Sequence, residues 1–355
     1  MEIVIGVFLT AFAAAYVLTP LAGKLANLIG AVDCPNERKV HTCIIPRMGG
    51  LAIYAGFMVS VIMFTPVTQP LFGLLAAATC IVILGIIDDM FELPAKVKLA
   101  GQIAAALGFA LSTPGNTIDF ITNPITGDMF TTGMWAIPMT VIWIVAIVNA
   151  VNLIDGLDGL AAGISFISAV VLMFFARTQM NGAVAVILST AVAGSCLAFL
   201  QFNFNPAKIF MGDTGSMFLG FVLAAISVQG TMKSAATIAL LVPILALALP
   251  IFDTSVAIIR RAIAHKPIFA PDKGHLHHRL LSMGLSQKQT VIIMYIVSAL
   301  IAVFALTLTK TNGIAAYILT GAIVICLLWV MNKFGLSMLM PPKEKSDSNE
   351  ESEDK

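Results

Sequence analysis

Eleven stretches of this chain are apolar for long enough to cross a lipid bilayer, and no single soluble core could bury them all. They lie near residues 2–23, 48–66, 70–88, 96–113, 134–153, 159–176, 181–200, 214–232, 236–257, 290–309 and 313–332. A spanning helix needs about 17–25 such residues. The runs do not alternate polar with apolar side chains, which excludes a closed β-barrel of strands roughly ten residues long. Composition agrees, with 59% hydrophobic and only 11% charged residues, where a soluble domain carries about 25% charged. The expected fold is all-α: a polytopic integral membrane protein of about eleven transmembrane helices. Its first run has no basic leader or small-residue cleavage site and reads as a retained helix.

Lysine and arginine set the orientation. With the N-terminus outside and the C-terminus cytoplasmic, 17 of the 20 Lys and Arg residues fall on the inner side, and only Arg177, Lys233 and Lys310 fall outside. That is the positive-inside pattern. The catalytic domain is expected over 1–340, with cytoplasmic loops 24–47, 89–95, 154–158, 201–213 and 258–289. Residues 341–355 form an acidic tail without apolar periodicity, read as disordered. The net charge of +1 and the lack of a global basic surface argue against a nucleic-acid partner. The five cysteines show no CxxC pair, so neither a disulfide framework nor a zinc site is expected.

Acids beside apolar spans are costly, at about 2.5–3.5 kcal/mol each near a helix centre. Asp88 and Asp89 end the third run in GIIDDMFEL; Asp155 and Asp158 sit in NAVNLIDGLDGLAAG with Asn152; Asp213 opens the eighth run in FNPAKIFMGDTGS. The assigned orientation brings all five to the cytoplasmic face. Singly, each has an ordinary reading, as a solvated helix end or an N-cap. Together they form an all-oxygen set suited to Mg²⁺, with Mn²⁺ as substitute, rather than to zinc. Asn203 and its aromatic neighbours could face a nucleobase. The last inner loop carries His275, His277, His278 and Arg279 in PDKGHLHHRL, a cationic group fit to grip phosphates. Lys39, His41 and Arg47 make a second basic loop leading to Gly49-Gly50. Magnesium-type acids, phosphate-binding cations and a lipid-embedded scaffold converge on phosphoryl transfer between a nucleotide-activated substrate and a lipid phosphate. A secondary transporter, the non-enzyme rival, would place its polar groups at the bilayer midplane within inverted repeats, and no repeat is evident.

Five blocks, RKVHTCIIPRMGG, GIIDDMFEL, NAVNLIDGLDGLAAG, FNPAKIFMGDTGS and PDKGHLHHRL, occur in one order across residues 38–280. In that order they resemble the polyprenyl-phosphate N-acetylhexosamine-1-phosphate transferases of glycosyltransferase family 4. The His275-Leu-His277-His278-Arg279 form and Arg47 before Met-Gly-Gly resemble the bacterial branch that uses UDP-N-acetylglucosamine. The lipid I synthases, which take UDP-MurNAc-pentapeptide, are the alternative within the family.

The resemblance implies a bacterial cytoplasmic-membrane enzyme that moves GlcNAc-1-phosphate from UDP-GlcNAc to undecaprenyl phosphate. The products are undecaprenyl-pyrophosphoryl-GlcNAc and UMP, opening a teichoic acid or lipopolysaccharide type of envelope pathway. It implies catalytic roles for Asp88, Asp89 and Asp213, and a magnesium site of Asp213, Asp89 and Asp155. Asn152, Asp155 and Asp158 would position the nucleotide or metal, and Asn203 and Phe210 would contact uracil. Lys39, His41, Arg47, His275, His277, His278 and Arg279 would hold the diphosphate or sugar. Monomer and homodimer both remain open.

Overall fold

The computed structural model describes residues 2–33, 44–123, 128–179, 182–231, 241–263, 265, 274–308, 315, 318–322 and 325. Helices dominate. They are α1 (Glu2–Ile29), α2 (Gly50–Phe64), α3 (Gln69–Phe91), α4 (Ala95–Ser112), α5 (Ala136–Ile154), α6 (Leu160–Ala176), α7 (Ala183–Asn203), α8 (Gly212–Ile226), α9 (Leu241–Ala246), α10 (Ala248–Ile263), α11 (Leu276–Ser282) and α12 (Gln287–Leu308). Two small antiparallel ribbons depart from the all-α expectation: β1 (Val32–Asp33) with β2 (Ile45–Pro46), and β3 (Phe120–Thr122) with β4 (Met129–Thr131).

Among the described residues, five helical segments are long and apolar enough to cross a membrane: Glu2–Ile29, Gln69–Phe91, Gly133–Ile154, Ala183–Asn203 and Gln287–Leu308. α2 and α6 are shorter apolar helices. The run expected as one span over 236–257 is instead broken between α9 and α10, and α10 continues to Ile263. Pro250 explains the break, because it lacks an N–H and its ring crowds the carbonyl four residues back, at Ala246. The run expected over 214–232 follows α8 only to Ile226 and then forms a π turn, Ser227–Thr231. Most of the eleventh run and the whole acidic tail lie outside the described residues.

α8 is the centre of the bundle. Every residue in it except Asp213 is buried, and it packs against α3, α5 and α2. α1 covers α2 and α7, while α6 lies between α7 and α12. Large apolar residues of α1, including Ile3, Leu9 and Val17, remain exposed, as expected of a surface whose solvent is lipid.

Small residues let three helix ends meet at the first turn of α8. A Cβ on Gly50 would collide with the backbone of Gly215, and one on Gly85 with the backbone of Thr214. The chain before α8 pairs with the chain before α2: Phe210 N–H donates to Pro46 O (2.8 Å), Gly49 N–H to Phe210 O (2.9 Å) and Gly50 N–H to Met211 O (2.8 Å). The motifs IPRMGG and IFMGDTGS are thus two sides of one backbone contact. Gly212 turns the chain into α8 with φ +71°, a left-handed conformation that costs other L-residues about 1–2 kcal/mol.

Gly85→Ala is expected to lower the melting temperature of the detergent-purified protein by several degrees, since neither backbone can yield. Gly108→Ala on α4 is the control: its added Cβ meets nothing within 4 Å, and alanine is favoured over glycine in a helix by about 1 kcal/mol. Equal melting temperatures for the two variants would contradict the close-packing account.

Candidate active site

The last turn of α3 meets the first turn of α8, and their acids take different tasks. Asp89 caps α8. Its Oδ1 accepts from Asp213 N–H (2.8 Å), and its Oδ2 accepts from Thr214 N–H (3.0 Å) and Thr214 Oγ1 (2.6 Å). A helix N-terminus presents unpaired amides and partial positive charge, so a carboxylate there is favourable. Asp89, expected as a metal ligand, has both its oxygens engaged in these bonds. Asp88 faces the other way: Oδ1 accepts from Leu93 N–H (2.7 Å), closing the α3–α4 turn, and Oδ2 pairs with Lys98 Nζ (2.7 Å).

Lys98, one turn into α4, also pairs with Asp213 Oδ2 at 3.0 Å. Asn152 Nδ2 donates to Asp213 Oδ1 (2.6 Å) and to Ser216 Oγ (2.9 Å). Asp88, Lys98, Asn152 and Asp213 therefore form one polar cluster drawn from four helices. One turn further along α4 and α5, Asn149 Nδ2 donates to Gln102 Oε1 (2.6 Å) and clasps those two helices together.

Asp155 caps the C-terminus of α5 beside this cluster. Burial, then the negative charges of Asp213 and Asp89, push its carboxyl up to about 8. Asp158 and Asn203, expected at the nucleotide, make hydrogen bonds that staple loops. Asp158 Oδ2 accepts from Asn205 Nδ2 (2.9 Å) and Ala207 N–H (3.0 Å). Asn203 Oδ1 accepts from Gly159 N–H (3.0 Å), and its Nδ2 donates to Ile209 O (2.8 Å). Both amide ends of this buried side chain have partners within the fold, so it shapes the α7–α8 connection. Phe210 is half-buried, with its backbone in the ladder described above.

A groove of about 840 Å³ opens from the cluster between α4, α5 and α10. Its walls are mostly apolar, including Leu99, Val141, Ile147 and Ile251, while Lys98, Asn152 and the three histidines line its polar part. His275 and His277 stack nearly parallel with centroids 5.8 Å apart, and His278 lies 4.3 Å from His277. His277 Nε2 is only 2.7 Å from where a Cβ on Gly156 would stand, so a glycine is needed in the Asp155–Asp158 turn. Burial, then the neighbouring His278, holds His277 down to about 3, so its ring is neutral at physiological pH. Arg279 Nε donates to Gly274 O (3.1 Å), tying the arm to itself. Arg47 lies 3.9 Å from Asp33 and acts on Asp155 electrostatically. Lys39 and His41 lie outside the described residues.

Among the described residues, no three His, Cys, Asp or Glu side chains converge as a ready metal cage. Magnesium usually takes one or two carboxylates and completes its shell with water and substrate phosphates. Asp213, with Asp88 and Asp155 near it, supplies oxygen donors of that kind.

Two residues of this region escaped the motif reading. Lys98 looks in sequence like any positive-inside lysine. Asp253 of α10, buried against His275, is an acid inside an apolar run, a placement that flags function in membrane segments.

The raised Asp155 group makes stability pH-dependent. The folded protein keeps a proton there that the unfolded chain releases above about pH 4, so stability falls as pH rises from about 4 to about 8. Asp155→Asn should remove this part of the decline, narrowing the difference in melting temperature between pH 5 and pH 8. An unchanged difference would contradict the buried-proton account.

Residues 71–231 match the family model described as glycosyl transferase family 4. The chain is 43% identical over 308 residues to a probable undecaprenyl-phosphate N-acetylglucosaminyl 1-phosphate transferase of Bacillus subtilis, covering 86% of this chain and 85% of that relative. It is 38% identical over 347 residues to a decaprenyl-phosphate N-acetylglucosaminephosphotransferase of Mycobacterium leprae, covering 89% and 87%. An Escherichia coli K12 undecaprenyl-phosphate alpha-N-acetylglucosaminyl 1-phosphate transferase is 28% identical over 292 residues, covering 79% and 77%. With this extent of similarity, and with its motif residues gathered at one end of the bundle, the chain belongs to glycosyl transferase family 4.

Proposed function

We propose that this protein is a phosphoglycosyltransferase that moves GlcNAc-1-phosphate from UDP-GlcNAc to undecaprenyl phosphate. The observation that carries the reading is the Asp88–Lys98–Asp213–Asn152 cluster, whose Lys98 and Asn152 line the polar part of a groove with largely apolar walls. An apolar wall suits a polyprenyl chain, and the polar part suits the phosphates of donor and acceptor. The substrates in the relatives' names support the same choice of sugar and lipid.

In the transfer, an oxygen of the lipid phosphate attacks the β-phosphorus of UDP-GlcNAc. The bond from that phosphorus to the bridging oxygen breaks, and the bridging oxygen leaves with UMP. The new diphosphate joins undecaprenol to GlcNAc. The acceptor is a phosphate monoester with a second pKa of about 6, so near neutral pH it needs little deprotonation. The carboxylate of Asp88 then serves to orient it through Lys98 more than to remove a proton. Lys98 neutralises negative charge shared by the two phosphate groups, and His277 and His278 offer ring nitrogens from the opposite wall. Asp213 and Asp155 would hold Mg²⁺, which when bound offsets diphosphate charge. Positioning and charge neutralisation are the main catalytic resources of phosphoryl transfer.

The membrane arrangement belongs to this proposal: eleven spans, N-terminus outside, and the cluster on the cytoplasmic face where UDP-sugars are available. The alternative within the family, lipid I synthesis, differs in its donor.

Purified protein should release UMP from UDP-GlcNAc only when undecaprenyl phosphate is present. UDP release, lipid-independent turnover or preference for UDP-MurNAc-pentapeptide would overturn the reading. EDTA should abolish turnover and Mg²⁺ or Mn²⁺ restore it, while Asp213→Asn should cost at least about 100-fold in rate with the melting temperature nearly unchanged. Metal-independent turnover, or near-wild-type activity in that variant, would contradict the metal role.

A further inference from the structure

Asp253 lies in the second turn of α10 and is 2% exposed. Its two oxygens perform separate tasks on the histidine arm. Oδ2 is 2.8 Å from His275 Nδ1, and Oδ1 accepts from Leu276 N–H at 2.8 Å, where α11 begins. One carboxylate therefore fixes both the first ring of the arm and the backbone that carries the other two. The restraint continues inward. His275 stacks on His277, which packs against Gly156 in the turn that holds Asp155. On the next turns of α10, Thr254, Ser255, Ile258 and Arg261 line the groove, so Asp253 sits just behind the groove wall.

A buried acid in an apolar helix is expensive unless it is hydrogen-bonded. Packing alone does not account for it, because a neutral isostere would fill the same space. Carboxylates that orient a histidine ring recur wherever the free nitrogen of that ring must face a phosphate, a metal or a proton acceptor.

We infer that Asp253 is a positioning residue for the sugar-phosphate transfer. By holding the His275 ring and the start of α11, it sets where His277 and His278 meet the donor diphosphate. The inference rests on the proposed function for its reaction, and on the hydrogen bonds above for its geometry. Asp253 itself touches no reacting atom.

The test compares Asp253→Asn with Asp253→Glu in the full-length protein. Asparagine matches the shape and keeps the Leu276 acceptor, but it must turn an NH₂ toward His275 or give up the cap. Glutamate is bulkier but keeps a carboxylate. A positioning role predicts that Asn lowers kcat by about 10–100-fold at near-wild-type melting temperature, and that Glu is the more active of the two. A packing role predicts the reverse order, and Asn at least as active as Glu would overturn the inference. His275→Asn should also mask the loss, so that adding Asp253→Asn to it costs less than threefold; losses that multiply would count against coupling through His275. ¹⁵N-histidine spectra separate this from the functional reading. If wild type releases no UMP, the proposed reaction fails, yet Asp253→Asn must still change the tautomer signature of His275. An unchanged signature would overturn the positioning role by itself.

Discussion

The carboxylate of Asp89 on the first turn of α8 is the contact on which the rest of the site depends. It satisfies three donors at the start of the most buried helix in the bundle. In doing so it fixes the end of α3 against the start of α8. Gly50 and Gly85 make that approach sterically feasible, and Gly212 supplies the turn that aims the amides. Once the two helix ends are locked, Asp88 and Asp213 must lie side by side, because each is the sequence neighbour of a group in the lock or of its anchor. The distances across the cluster then follow from backbone packing, with little left to side-chain flexibility.

Charge is arranged around this lock with the same economy. Placing Asp88 near Asp213 is unfavourable without a cation, and Lys98 supplies one at 2.7 and 3.0 Å. Asp155 remains partly neutralised by retaining its proton. Across the groove, the neutral ring of His277 and the adjacent His278 give a surface that can accept phosphate without carrying a large permanent positive charge. A site of this kind is balanced for anionic ligands that bring cations with them. It also leaves the long apolar wall available to the lipid half of the reaction.

Much of this was legible in the sequence, for identifiable reasons. The membrane class follows from run length and charge scarcity, and the five motif blocks lead to the helix ends that meet. Individual roles were less legible. Asp89 and Asp88 are adjacent and chemically identical, and only the direction of each side chain at the end of α3 separates the cap of α8 from the partner of Lys98. Asp158 and Asn203 read as nucleotide contacts through the family resemblance and, for Asn203, its aromatic neighbours; the loop-bracing hydrogen bonds to Ala207, Gly159 and Ile209 carry no signature in the sequence. Lys98 looks in sequence like any lysine flanking an apolar run, and its pairing with Asp88 and Asp213 depends on α4 packing against α3. The break at Pro250 was visible as a proline, but its consequence, an α10 displaced along the chain so that Asp253 reaches His275, required the tertiary arrangement.

In the proposed reaction, donor phosphates bind between the Asp213–Lys98 cluster and the histidine arm, with the acceptor chain in the apolar groove. A cryo-electron microscopy structure with Mg²⁺, a non-transferable UDP-GlcNAc analogue and undecaprenyl phosphate tests it most directly. Diphosphate density is expected within hydrogen-bonding distance of Lys98 and His277 or His278, with a cation on Asp213 and prenyl density along α4, α5 and α10. Diphosphate bound away from α8, or a lipid chain on another face of the bundle, would contradict it.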